Sequence, residues 1–121
     1  MRRGVILIAL LSAATLGCSA DVLAPFRAPP EVSISLESAI ARPYHATIVW
    51  NVENASTAPY PIDRRYALEP WKRLTQRYVE RGRLALEDVS VQPGATYSYR
   101  VRLGRDKAAA TAGEVTVQVP K

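Results

Sequence analysis

The 121-residue chain contains one cysteine, Cys18, and one histidine, His45. A single cysteine closes no internal disulfide, so the stability of the fold has to come from a hydrophobic core. Zinc and copper sites draw on several nitrogen or sulfur ligands, and one histidine does not supply them. His45 therefore reads as a surface residue just ahead of a strand. A Ser-His-Asp triad would have to use that histidine, yet no serine stands in a Gly-x-Ser-x-Gly turn. The six glycines form no phosphate-cradling loop. Glu87 and Asp88 are adjacent carboxylates, but neighbours on a strand point to opposite faces and cannot jointly flank one bond. No catalytic residue, metal ligand or cofactor motif emerges, and the expectation is a protein that is not an enzyme.

Long apolar runs are also lacking. The one uncharged, mostly apolar stretch, residues 5–16, spans 12 residues, against roughly 20 for a helix that crosses a bilayer. Arg2 and Arg3 precede it and the small residues Gly17, Cys18, Ser19 and Ala20 follow. That three-part layout is the mark of a cleaved export signal. Removing residues 1–17 takes away two of the 16 basic residues and none of the 11 acidic ones, so the net charge falls from +5 to +3. So mild an excess does not lead us to expect a nucleic-acid partner.

Ala14-Thr15-Leu16-Gly17-Cys18 resembles the lipobox of bacterial lipoproteins, with Thr15 where a leucine is usual. The resemblance implies cleavage before Cys18, a thioether-linked diacylglycerol on its sulfur, and an acyl chain such as palmitate on its new amino group. It also implies attachment to a membrane, with Ser19 in place of a retention-signalling aspartate favouring the outer membrane. One acyl chain binds a bilayer only marginally, at roughly 0.8 kcal/mol per buried methylene, whereas two or three anchor firmly. Cys18-Ser19-Ala20 also suits ordinary cleavage after Ala20. Both routes imply export.

Residues 18–30 carry three prolines and no period, and read as a semi-rigid tether in which Leu23 and Phe26 face the membrane or the first strand. From Glu31 to the end at Lys121 the pattern becomes alternation, the signature of strands with one buried face. Val32, Ile34 and Leu36 alternate with serines. Ile48, Trp50 and Val52 form a second set, Tyr97, Tyr99, Val101 and Leu103 a third, and Val115, Val117 and Val119 a fourth. Residues 60–66 and 71–78 read as two charged strands, and Leu84 with Leu86 as a short one. Residues 54–59 and 92–94 are turns, and residues 104–113 a loop. The expected fold is an all-β, antiparallel, seven-stranded sandwich.

The run Val91-Gln92-Pro93-Gly94-Ala95-Thr96-Tyr97-Ser98-Tyr99-Arg100-Val101 resembles the end of a fibronectin type III domain, a member of the immunoglobulin-like sandwiches. The likeness extends over residues 29–120. It implies that Trp50 is the core tryptophan of the second strand, and that Tyr97 forms a corner in which its hydroxyl bonds to main chain upstream, with Tyr99 in the same core. Two departures stand out: no proline closely follows the tryptophan, and residues 69–83 are unusually basic.

That basic segment is the candidate binding patch: Trp71, Lys72, Arg73, Arg77, Tyr78, Arg81 and Arg83. Basic and aromatic side chains together suit anionic head groups or acidic polymers. They equally suit a solvated sheet face whose charges discourage edge-to-edge pairing. Because Arg64 shares a strand face with Ile62, it is expected to pair with Asp88. The functional expectation is a membrane-anchored binding or structural module of the bacterial envelope, contacting an envelope protein or polymer. An accessory subunit of an envelope complex, and a small periplasmic enzyme or inhibitor, are the alternatives.

Overall fold

Alternation builds the core. In β2 (His45–Glu53) the side chains of Ala46, Ile48, Trp50 and Val52 are buried, while Asn51 and Glu53 face water. Leu84, Leu86 and Asp88 turn inward from β5 (Arg83–Asp88), and Tyr97, Tyr99 and Val101 from β6 (Thr96–Arg102). β1 (Ser33–Arg42), β3 (Tyr60–Tyr66), β4 (Lys72–Arg77) and β7 (Thr111–Gln118) complete the set. The structure is a computed structural model that describes residues 31–104 and 109–121. The export signal, Cys18 and the tether with Leu23 and Phe26 lie outside the described residues.

The seven strands of the described residues pair antiparallel in two sheets, in the orders β1-β2-β5 and β4-β3-β6-β7. Their inner faces meet in one cluster that includes Trp50, Ile62, Leu86, Tyr99 and Val117. The protein is thus an all-β sandwich, consistent with an immunoglobulin-like or fibronectin type III-type domain. Burying one large apolar side chain contributes roughly 1.5–3 kcal/mol, so a cluster of this size holds the fold without cross-links.

Three local readings need correction. Leu36 lies opposite Trp50 but is 43% exposed, because β1 is an edge strand and its register slips at a bulge between Leu36 and Ser38. Beyond the bulge the inward positions are the small residues Ala39 and Ala41, whose pattern is weak, and Ile40 faces solvent. Leu103 follows the last residue of β6 and is exposed rather than inward. The expected loop over residues 104–113 ends earlier than supposed, since β7 begins at Thr111. There Gly113, at φ 68°, occupies an irregularity in the β6–β7 ladder between Tyr99 and Val101. An alternating apolar pattern does not reveal a strand that opens on Thr-Ala-Gly.

Gly113 also joins the sheets. Trp50 Nε1 on β2 donates to its carbonyl at 2.7 Å, which satisfies the one polar atom of a buried indole. A Cβ at this position would stand 2.6 Å from that nitrogen.

Candidate functional site

Two buried carboxylates organise the polar structure. Asp88, at the end of β5, faces inward beside Arg64 of β3. Arg64 Nη1 donates to Asp88 Oδ2 at 2.7 Å and to Ser90 Oγ at 2.7 Å. The Tyr99 hydroxyl donates to the same Oδ2 at 2.7 Å, and the Ser90 hydroxyl and amide donate to Oδ1 at 2.7 and 3.0 Å. Burial pushes the Asp88 carboxyl up, but the hydrogen bonds from Ser90, Tyr99 and Arg64 outweigh it and hold the pKa below the ordinary aspartate value. Burial, followed by the hydrogen bond to the Asp88 carboxylate, pushes the Tyr99 phenol well up. This ties the two sheets together, and the expected Arg64–Asp88 pair is present.

The second carboxylate, Asp63, sits on the opposite face of β3 from Ile62 yet is buried. Arg100 Nε and Arg102 Nε reach its Oδ2 at 3.0 and 2.8 Å. The ring of Trp71, just before β4, covers the same face. The guanidinium of Arg65 lies 4.8 Å from its centroid and that of Arg100 4.3 Å, close enough for cation–π attraction. The strand register explains the meeting: Asp63 pairs with Arg100 and Arg65 with Ser98 across β3 and β6.

Residues of the basic patch read from residues 71–83 line two different clefts. Lys72 and Arg73 join Arg64, Arg65, Tyr66 and Glu69 around a cleft of about 200 Å³ where β3 turns into β4, with Trp71 beside it. Arg77, Tyr78 and Arg83 line a separate cleft of about 340 Å³ with Glu80 and Ala85, and Arg83 is held by Glu37 at 2.8 Å. Arg81 stands exposed at φ 55° beside Gly82 at φ 76°, in the tight turn closed by the Glu80–Arg83 bridge. The split follows from geometry. At roughly 3.3 Å per residue, a six-residue strand carries its two ends far apart.

Trp50, Tyr97 and Tyr99 are buried on the inner faces. The Tyr97 hydroxyl accepts from the Gln92 amide, five residues upstream, at 3.0 Å, and Arg64 lies 5.1 Å from its ring centroid. His45 opens β2 rather than preceding it. Its Nε2 is 3.5 Å from Glu87 Oε1 without making a hydrogen bond. Among the described residues no group of three or more His, Cys, Asp or Glu side chains is placed to hold a metal. Sequence reasoning overlooked Asp63, Arg65, Tyr66, Arg100 and Arg102. The signal available was alternation on the outer face, with Asp63 and Arg65 on one strand and Arg100 and Arg102 on another.

These features define an all-β sandwich with a cationic, aromatic-flanked cleft at one end. No protein-family model matches the chain, and no curated protein matches it. Among solved structures it is similar to the sensor domain of the anti-sigma factor RsgI4 from Pseudobacteroides cellulosolvens. That match has a TM-score of 0.58 and 14% identity over 74% of this chain and 76% of that one. It is also similar to part of a beta-1,2-glucanase from Parabacteroides distasonis, with a TM-score of 0.54 and 20% identity. The likeness covers 78% of this chain but only 14% of the glucanase. At these identities the likeness is one of fold.

Proposed function

We propose that the protein is a lipid-anchored, non-catalytic binding or structural module of the bacterial cell envelope. Its fibronectin type III-like sandwich is held off the membrane by residues 18–30. The observation that carries this reading is the place of the only cysteine, at the end of a short apolar run and immediately before a proline-rich segment. Residues Glu31–Lys121 form a compact unit of their own, as a displayed module requires. Support for a recognition role comes from the clefts of the sandwich and from the use of a similar fold as a sensor domain in the anti-sigma factor. The fibronectin type III reading draws on the Trp50 indole in the core and the Tyr97 hydroxyl bonded to upstream main chain.

The test is the intact mass of the protein purified from a bacterial host. Loss of residues 1–17 with the added mass of a diacylglycerol and an acyl chain is expected. A chain that begins at Asp21 with no added mass would overturn the anchor.

A further inference from the structure

Tyr66 lines two clefts. One is the cleft of about 200 Å³ lined also by Arg64, Arg65, Glu69, Lys72 and Arg73. The other is an open groove of about 590 Å³, lined by Pro93, Gly94, Tyr97 and Lys121 among others. The Tyr66 ring, common to both, is half-exposed and leans on Tyr97, with centroids 5.6 Å apart. We propose that the two clefts form one groove for an acidic saccharide chain, with a carboxylate of one sugar among the cations and a neighbouring ring against Tyr66.

Charge is the first argument. Arg64 is committed to Asp88, and Arg100 and Arg102 to Asp63. Among the described residues no carboxylate lies within ion-pair distance of Arg65, Lys72 or Arg73. Glu69 is the one acidic residue of the first cleft, and Lys121 brings a further cation to the second. Unneutralised cations in a concave site concentrate potential and favour an anionic occupant. A guanidinium fork matches a carboxylate in geometry as well as in charge.

Shape is the second argument. The smaller cleft has room for about one polar group or sugar unit, below the roughly 300–1,000 Å³ of sites that enclose a drug-sized ligand. The adjoining groove is open at its surface, so a chain can continue past Tyr66. Sugar rings present apolar C–H faces that suit an exposed aromatic. A bilayer surface would instead need apolar side chains projecting together, and at the β3–β4 turn only Leu68 is almost fully exposed.

This assignment deepens the envelope-module reading and rests on it. The experiment is a fluorescence titration of the full-length protein in neutral detergent, reporting on Trp71 beside the cleft. The probes are trigalacturonate, neutral galactotriose, and glycerophosphoglycerol as a lipid head group alone. Saturable binding of trigalacturonate only is expected, weakening with added salt. Lys72→Gln with Arg73→Gln, both exposed, should weaken it by about tenfold or more. Tyr66→Ala should weaken it too, while Arg77→Gln with Arg83→Gln should leave it unchanged. Equal affinity for galactotriose, tighter binding of glycerophosphoglycerol, indifference to the Lys72/Arg73 pair, or no saturable binding at all would each overturn the proposal. A protein that proves lipidated by mass yet ignores trigalacturonate loses this ligand alone. A protein that binds it but lacks lipid loses the anchor alone.

Discussion

The hydroxyl of Tyr99 and the carboxylate of Asp88 form a buried hydrogen bond of 2.7 Å between the two sheets. Asp88 is nearly inaccessible, so its charge is tolerated only because both oxygens are occupied. Removing one member of a buried pair leaves the other uncompensated, at about 3–5 kcal/mol. Asp88→Ala should therefore destabilise the domain by that amount in urea unfolding. A double-mutant cycle with Arg64→Ala should give a coupling of about 0.5–3 kcal/mol. Zero coupling would mean that the pair does not hold in solution.

The same pair contributes to the pH dependence of stability at both ends of the scale. The Asp88 pKa in the fold lies below its ordinary value of 3.8, so between the two values the unfolded chain binds more protons. Its contribution is present above about pH 4 and is lost as pH falls through the folded pKa. The Tyr99 pKa lies above its ordinary 10.0, so the folded state keeps a proton that the unfolded state gives up. That contribution is complete below about pH 10 and declines as pH rises further. Melting temperatures across pH should fall at both ends. Tyr99→Phe should flatten the alkaline fall, and an unchanged alkaline limb would contradict this assignment.

Gly113 and Trp50 should prove to be one structural feature. An L-residue at Gly113 takes on a left-handed backbone, roughly 1–2 kcal/mol, and drives a Cβ into the indole. Gly113→Ala should therefore cost about 2–5 kcal/mol, with overpacking included. Trp50→Ala removes a fully buried ring and should cost roughly 3–5 kcal/mol, a large share of the 5–15 kcal/mol typical of a domain. In the Trp50→Ala background, the added penalty of Gly113→Ala should shrink to the backbone component and the remaining 3.2 Å approach to Ile34 Cγ2. A wild-type melting curve for Trp50→Ala would show that this indole is not in the core.

Tyr97→Phe keeps the ring and removes only the acceptor for the Gln92 amide. The expected loss is about 1 kcal/mol, with faster amide exchange at Gln92. Unchanged exchange there would count against the corner.

Much of the sandwich was legible in the sequence, because Trp50, Tyr97 and Val117 sit in clean alternation and a period of two names the inward face. The Arg64–Asp88 contact was legible for the same reason, since Ile62 fixes the direction of Arg64. What escaped depends on register. Nothing local to Trp71 announces that Arg65 and Arg100, 35 residues apart in sequence, lie beside its ring; the β3–β6 pairing brings them there. The bulge after Leu36 and the irregularity at Gly113 shift the phase of a strand without changing its composition. The division of the basic segment between two clefts was not legible either, because it depends on how far β4 carries its two ends apart.

The most direct measurement of the envelope-module reading is carbonate-washed membrane fractionation of bacterial cells that make the wild-type chain or Cys18→Ser. The wild type is expected in the washed membranes, with the variant absent from them. Equal release of both proteins to the soluble fraction would contradict the lipid anchor and make the sandwich a freely diffusing exported domain.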